Sequence, residues 1–266
     1  MTLVVCDVDG TLVDKNKKLT PGTIAAVGRL RAAGIGFTII SARPMSGIRP
    51  ILDALDLDVP VGAFNGGIVF ARDGSVAQRE TVPAEVARGV FEIAKDADVD
   101  RWVFADDVWY ASSTDGAHVP SERLASNQEP VIRDDFDDLL DHADKITFVS
   151  DDEALLRELT KQAEARFGKA ATIVQSQTYY LDVTAKRANK GDGIAALADA
   201  IGTSLDRTIA IGDQANDLAM FARAGRSIAM GNAADAVKAK AGDVTRGNDA
   251  DGVAYAIDHF ILGRMM

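Results

Sequence analysis

Asp7 and Asp9 flank Val8 and precede Gly10-Thr11, so two carboxylates sit one residue apart directly after the apolar run Leu3-Val4-Val5-Cys6. A short β-branched run that ends in a glycine turn predicts a buried strand. Acids at its carboxyl end would lie where open α/β sheets bind ligands. Carboxylates are seldom buried unless paired or metal-bound, so two of them beside an apolar strand call for a partner. Paired carboxylates can divide nucleophilic and proton-transfer roles, and they can hold a hard cation through oxygen. The competing reading is structural, a solvated turn with Asp9-Gly10 at its corner.

Three later segments weigh against a plain turn. Phe37-Thr38-Ile39-Ile40 is a second apolar strand, ending at Ser41-Ala42-Arg43-Pro44. Asn189-Lys190-Gly191 opens a helix-patterned stretch, and Thr208-Ile209-Ala210-Ile211 runs into Gly212-Asp213-Gln214-Ala215-Asn216-Asp217. Together with Asp7–Thr11 these segments resemble, in order, the four motifs of the haloacid dehalogenase superfamily. Asn65-Gly66-Gly67 and Ala229-Met230-Gly231-Asn232-Ala233 further resemble the Cof-type phosphatases within it. Each motif alone is a weak signal. Four in order after strands are a strong one.

The resemblance implies phosphate-ester hydrolysis assisted by Mg²⁺. On it, Asp7 is the nucleophile that forms an aspartyl phosphate, and Asp9 protonates the leaving oxygen and later deprotonates water. Two carboxylates cannot approach a phosphate dianion unaided, and a cation removes the repulsion. The expected metal ligands are Asp7, the backbone carbonyl of Asp9, and Asp213, with Asp217 orienting the shell around them. Val8, Gly10, Ser41, Ala42, Arg43, Lys190 and Asn216 are the expected phosphate contacts. Ser41 would offer its hydroxyl and nearby N–H groups, and Lys190 a point charge to the phosphoryl group and to Asp7. Without that context Ser41 reads as an N-cap and Lys190 as a solvated helix-start lysine. Arg43 could reach phosphate or form a structural ion pair. Thr11 is expected to hydrogen-bond within the first loop.

The elements that must position these residues alternate between strand and helix. Thr20-Pro21 predicts an N-cap and first turn, with Ile24, Val27 and Leu30 as the apolar face and Gly34 as the stop. Strand 37–40, a helix over Ile48–Leu55, strand 61–64 and a hairpin at Arg72-Asp73-Gly74 follow. The alternation predicts an α/β fold, a Rossmann-like and mainly parallel sheet core. From about Pro83 the rhythm changes. Helix 86–95, a hairpin around Asp106-Asp107, strand 145–149, helix 152–167 and strands 171–175 and 179–183 read as an inserted α+β domain over 83–186, the interval where the resembled family carries its cap. The core resumes with helix 191–201, strand 208–211, helix 216–224, strand 227–230, helix 233–241 and a last helix through Val253, Ile257, Phe260 and Ile261. Residues 1–82 and 187–266 thus form a discontinuous catalytic core.

The chain has 266 residues, of which 47% are hydrophobic, enough for real cores in two domains. Its mean hydropathy is near zero and no segment is long and apolar enough for a membrane span. The N-terminus lacks the basic region of a signal peptide, and a single cysteine, Cys6, fits a reducing compartment as a small buried hydrophobe. A cytoplasmic protein is expected. The formal charge of −11 argues against a nucleic-acid partner. Lys15, Lys17 and Lys18 read as a solvated loop, and Asp134–Asp138 as the charged first turn of a short helix through Leu139-Leu140. His118, His142 and His259 show no metal-ligand spacing. Trp102, Trp109 and Tyr110 read as core of the inserted sheet.

The function expected is hydrolysis of a small phosphorylated metabolite, a sugar phosphate in particular, by a monomer or weak homodimer. A phosphomutase of the same superfamily and a non-catalytic phosphometabolite sensor are the alternatives. Discrimination among esters is expected from the inserted domain, with the 115–123 loop as the contact element.

Overall fold

The computed structural model describes residues Met1–Gly263. Leu3-Val4-Val5-Cys6 forms a strand with every residue fully buried. It pairs in parallel with Gly36–Ile39 on one side and Thr208–Gly212 on the other. Arg226–Ala229 and Asp243–Val244 extend the same sheet to five parallel strands. Strands covered on both faces must be apolar throughout, which is why these runs do not alternate. The register places Cys6 opposite both Ile39 and Ile211, and Ile211 opposite Ile228. Asp7, Ile40-Ser41, Gly212-Asp213 and Met230-Gly231 therefore leave the sheet along one edge.

Two helices set the flanks of that edge. The Thr20 hydroxyl accepts the Thr23 N–H at 3.1 Å and Pro21 opens the helix Pro21–Ala32, which ends before Gly34 in a left-handed conformation. Its buried face is Thr23, Ala26, Val27 and Leu30, rotated from the predicted one so that Ile24 is exposed. Asn189 caps Lys190–Ile201 by accepting the Asp192 N–H at 3.0 Å. Leu3, Val5, Ile194, Leu197, Ala210, Met220 and Ala229 belong to one hydrophobic cluster around this sheet.

Contacts divide the chain into two units. One holds Met1–Ala42, Arg49–Gln78 and the chain from Asn189 onward, and the other holds Arg43–Ile48 and Arg79–Ala188. In the second unit six strands run in the spatial order Ala171–Gln177, Tyr180–Ala185, Lys145–Val149, Asp100–Ala105, Val108–Ala111 and Val131–Ile132. Here the side chains alternate. Val103, Ala105, Ile146, Phe148, Leu181 and Val183 pack with Val86 and Val90 of helix Ala84–Ile93 and Leu156 and Leu159 of helix Glu153–Phe167. Trp102 and Trp109 are buried and meet edge to face at 5.1 Å, while Tyr110 packs against that cluster.

Several predicted elements differ. Asp134–Leu140 makes only turns, with the Asp137 N–H on Asp135 Oδ1 and the Leu139 N–H on the Phe136 carbonyl. The expected 115–123 loop gives way to a helix at Val119–Ser126, with Pro120 in its first turn. The helix predicted at 48–55 starts earlier, at Met45. Those at 216–224 and 233–241 shrink to Leu218–Phe221 and Asp235–Lys238. Val61–Ala63, Ile68–Phe70 and Val76–Arg79 form a separate three-stranded sheet. Among the described residues no helix is long and apolar enough to cross a membrane.

Candidate active site

Where the first strand ends, the backbone turns at once. The Val8 carbonyl accepts the N–H groups of Thr11, Leu12 and Val13 at 3.3, 3.0 and 3.1 Å, closing a loop directly beyond Asp7. Gly10 sits at φ +84°, and a Cβ there would overlap Asp213 Oδ2, so glycine is needed both for the turn and for the approach of Asp213. Besides its N–H bond to Val8 within the loop, Thr11 reaches outside it: its hydroxyl donates to Asp213 Oδ1 at 2.9 Å. Asn232 donates through Nδ2 to the Gly10 carbonyl at 2.9 Å and to Asp213 Oδ2 at 3.4 Å, and Gln214 Nε2 reaches the same oxygen at 3.0 Å.

Asp7, Asp213 and Asp217 are buried and bring one carboxylate oxygen each within 4.8 Å of one another. Lys190, 2% exposed, places Nζ 2.5 Å from both Asp7 Oδ1 and Asp217 Oδ1. The other oxygen of Asp217 accepts the N–H groups of Asp213 and Gln214 at 2.8 and 2.9 Å. Asp217 thus holds Lys190 with one oxygen and its own loop with the other. Burial pushes the Asp7 carboxyl up to about 8 against the pull of Lys190, with Asp217 and Asp213 adding to the rise. Burial also raises Asp213, opposed by the Thr11 hydroxyl. Burial depresses the Lys190 ammonium, but the charges of Asp7 and Asp217 outweigh it and hold the group above the ordinary lysine range. Three acids against one ammonium leave excess negative charge in a buried space. An all-oxygen donor set of that charge fits a hard divalent cation.

The remaining predicted residues fall around this centre in different ways. Asp9 lies outside the trio, its Oδ1 paired with Lys17 Nζ at 2.6 Å, so Lys17 is not simply solvated. Ser41 is buried, its N–H on the Gly62 carbonyl at 2.9 Å and its own carbonyl accepting the Asn65 N–H at 2.7 Å. Phe64 and Asn65 take left-handed backbone conformations to make that turn, and Asn216 Nδ2 donates to Asn65 Oδ1 at 3.3 Å. Ala42 ends the first unit, whereas Arg43 groups with the second, donating to the Gly47 carbonyl at 3.3 Å. Burial holds the Cys6 thiol well above its ordinary range, as an inert core residue requires. His118 stacks on Tyr179 and His259 on Tyr255, and neither joins an acid or thiol in a metal-sized group among the described residues. Lys17, Gln214 and the contacts of Thr11 and Asn232 with Asp213 were beyond the sequence reading. Their signal is that each follows, or loops back to, the same edge of the parallel sheet.

Residues 4–257 match the model of the haloacid dehalogenase-like hydrolases. The chain belongs to that family. It is 28% identical to pyridoxal phosphate phosphatase YbhA of Escherichia coli, over 96% of this chain and 97% of the relative. It is 32% identical to an HMP-PP phosphatase of Escherichia fergusonii, over 90% and 87% of the two chains. Among solved structures, a haloacid dehalogenase-like hydrolase from Bacteroides thetaiotaomicron superposes with a TM-score of 0.88 at 27% identity, covering 97% of this chain and 99% of that one. The α/β fold and the family expected from the ordered motifs are those found.

Proposed function

We propose that this hydrolase is a Mg²⁺-dependent phosphatase that cleaves a small phosphomonoester through an aspartyl phosphate on Asp7. The observation that carries the reading is Lys190 between Asp7 and Asp217 in a buried cluster with Asp213. Asp7, Asp213 and the Asp9 carbonyl would hold the cation, which would neutralise the phosphoryl charge as the nucleophile approaches. An Asp7 oxygen attacks phosphorus and the ester P–O bond breaks, its electron pair leaving with the alcohol oxygen. Asp9 gives that oxygen a proton, then takes one from the water that attacks the phosphoenzyme and frees Asp7 and inorganic phosphate. Lys190 steadies Asp7 and the phosphoryl oxygens, and Asp217 fixes Lys190. Ser41, with the N–H groups around Val8, Gly10, Ala42 and Arg43, and Asn216 complete the expected phosphate cradle.

Relatives named for phosphatase activity favour hydrolysis over a mutase, and a sensor would need no nucleophile. The relatives' names span pyridoxal phosphate and HMP-PP, so the class supported is a small phosphorylated metabolite, not a sugar phosphate in particular. The inserted domain expected over 83–186 is the part of the chain free to discriminate among such esters.

A phosphate-release screen over a metabolite panel, with and without Mg²⁺, tests this. Release should need the metal and be abolished by chelation. Asp7→Asn keeps the shape but removes the attacking charge, so turnover should fall by several orders of magnitude, on the order of 10³ or more, in a folded protein. Folded Asp7→Asn with near-wild-type turnover would refute the mechanism.

A further inference from the structure

Asn232 is exposed, yet both ends of its amide are committed. Nδ2 donates to the Gly10 carbonyl at 2.9 Å and to Asp213 Oδ2 at 3.4 Å, while Oδ1 accepts the Asn248 N–H at 3.0 Å. Two independent demands fix that orientation. A backbone N–H can only donate, so Asn248 needs the oxygen end, and a carbonyl can only accept, so Gly10 needs the nitrogen end. A flipped amide would set oxygen against oxygen on one side and N–H against N–H on the other. The surrounding backbone brings Asn232 to this point. Past the ends of the paired strands Arg226–Ala229 and Asp243–Val244, the Thr245 N–H donates to the Ala229 carbonyl at 2.9 Å and the Gly231 N–H to the Arg246 carbonyl at 3.0 Å. A Cβ on Gly231 would sit 2.7 Å from the Gly247 nitrogen, so glycine lets the two segments close. Asn248 fastens the other flank, its Nδ2 donating at 2.9 Å to the Val13 carbonyl, where the loop beyond Asp7 ends.

The amide ties together the two loops that carry expected metal ligands. Gly10 follows Asp9, whose carbonyl is one of them, and Asp213 is another. The Asp213 carboxylate is held at both oxygens, Oδ1 by the Thr11 hydroxyl at 2.9 Å and Oδ2 by Gln214 Nε2 at 3.0 Å as well as by Asn232. Thr11 bridges the same two loops from within one of them. Asn232 bridges them from a third, itself anchored on Asn248, so the separation of the two is set from outside both. A fixed separation matters most to a small cation. Mg²⁺ demands near-octahedral oxygens at about 2.0–2.1 Å, whereas Ca²⁺ accepts looser geometry at about 2.3–2.6 Å.

We propose that Asn232 is a positioning residue for the metal centre, holding Asp213 and the Asp9–Gly10 peptide at a separation that favours Mg²⁺ over Ca²⁺. The proposal rests on the metal assignment of the phosphatase reading above and names a residue and a selectivity that reading does not use. Asn232 is not itself a ligand in this scheme. Its effect passes through Asp213 and Gly10, so its loss must cost the geometrically strict cation more than the tolerant one.

Isothermal titration of the metal-free, full-length chain with Mg²⁺ and, separately, with Ca²⁺ at one pH tests it, in wild type, Asn232→Ala and Asn232→Leu. Thermal unfolding of each protein in chelator reports on the fold. Asn232→Ala should weaken Mg²⁺ binding by about 10–100-fold, the usual cost of removing an outer partner of a metal ligand, and Ca²⁺ binding by less than about threefold. Asn232→Leu, which keeps the volume without the polar ends, should do the same. The chelated variants should unfold within about 2 °C of wild type, since an exposed side chain leaves no cavity behind. An unchanged ratio of the two affinities, a Leu variant that binds Mg²⁺ as wild type does, or a loss of Mg²⁺ affinity accompanied by a large fall in the unfolding temperature of the chelated protein would overturn the role given to Asn232. Each would leave the phosphatase reading in place. A wild type that binds neither cation at millimolar concentration would overturn the metal assignment and this role with it.

Discussion

At Asp7 protonation is decided by competition between burial and charge. Burial favours the protonated carboxyl, Lys190 favours the anion, and burial wins, pushing the group up to about 8. A cation must bind the anion, so below that value binding has to expel a proton. The sign follows: apparent Mg²⁺ affinity should weaken as pH falls below about 8 and level off above it. For one coupled proton the loss is about tenfold per pH unit. Isothermal titration of the metal-free protein in buffers of different ionisation enthalpy would read the proton release directly. Affinity flat from pH 6 to 9 would show that Asp7 is ionised before the metal arrives. The acids themselves were legible in the sequence because each follows an apolar strand, and strand ends in a parallel sheet converge. The partners of those acids were less so. Thr11 and Asn232 meet at Asp213 from segments far apart in the chain, and only the strand order brings them together. Nothing local in the sequence marks Lys17 as a lysine whose ammonium pairs with Asp9.

At the scale of the element, the site depends on one helix start. Asn189 accepts the Asp192 N–H at 3.0 Å and donates back to Asp192 Oδ2 at 2.8 Å, a reciprocal cap that fixes the first turn carrying Lys190. Asn189→Ala should destabilise the fold by about 1 kcal/mol, the usual cost of losing a polar N-cap. It should also lower kcat more than it raises KM, because a fraying first turn loosens the ammonium set between Asp7 and Asp217. Asn189→Ser, which can still cap, should recover most of both effects. Thermal unfolding and steady-state kinetics on the two variants check this, and a stability loss with unchanged kcat would separate the cap from the lysine. The cap at Thr20-Pro21 is legible in the sequence, and the structure shows Asp152 and Asn189 capping their helices in the same way, each a side-chain acceptor just before a helix. Where the helix expectation failed, the cause is local as well. The acids of Asp134–Asp138 bond their own backbone and Arg133 instead of opening a helix. The helix Val119–Ser126 was missed because its buried face amounts to Val119 and Ser126, too little apolar periodicity to show.

At the scale of the whole molecule, the two units differ in how their parts are drawn from the chain. The central strand of the first, Leu3–Cys6, has one neighbour close in sequence, Gly36–Ile39, and the other at Thr208–Gly212. Its sheet cannot close until both ends of the chain are present. Every strand of the six-stranded sheet lies between Asp100 and Ala185, and its hydrophobic cluster runs from Val82 to Val183. A fragment spanning 79–188 should therefore fold cooperatively alone, with a single urea transition and native-like near-ultraviolet signals from the Trp102–Trp109 pair. A fragment spanning 1–78 should not fold, because its central strand would have one bare edge and its core would lack Ile194, Leu197, Ala210, Met220 and Ala229. One part of the 79–188 fragment should be looser than in the full chain. Ser46 donates its hydroxyl to the Ser126 carbonyl at 2.7 Å and accepts the Gln128 amide, and a Cβ on Gly47 would strike the Ala125 carbonyl. Those contacts come from Arg43–Ile48, which the fragment lacks. Amide exchange should accordingly show native protection in Asp100–Ala105 and Lys145–Val149 but fast exchange through Val119–Ser126, restored when the full chain is measured. Uniform protection across the fragment would mean that the helix needs no support from Arg43–Ile48, and an unfolded fragment that the insertion is no independent folding unit.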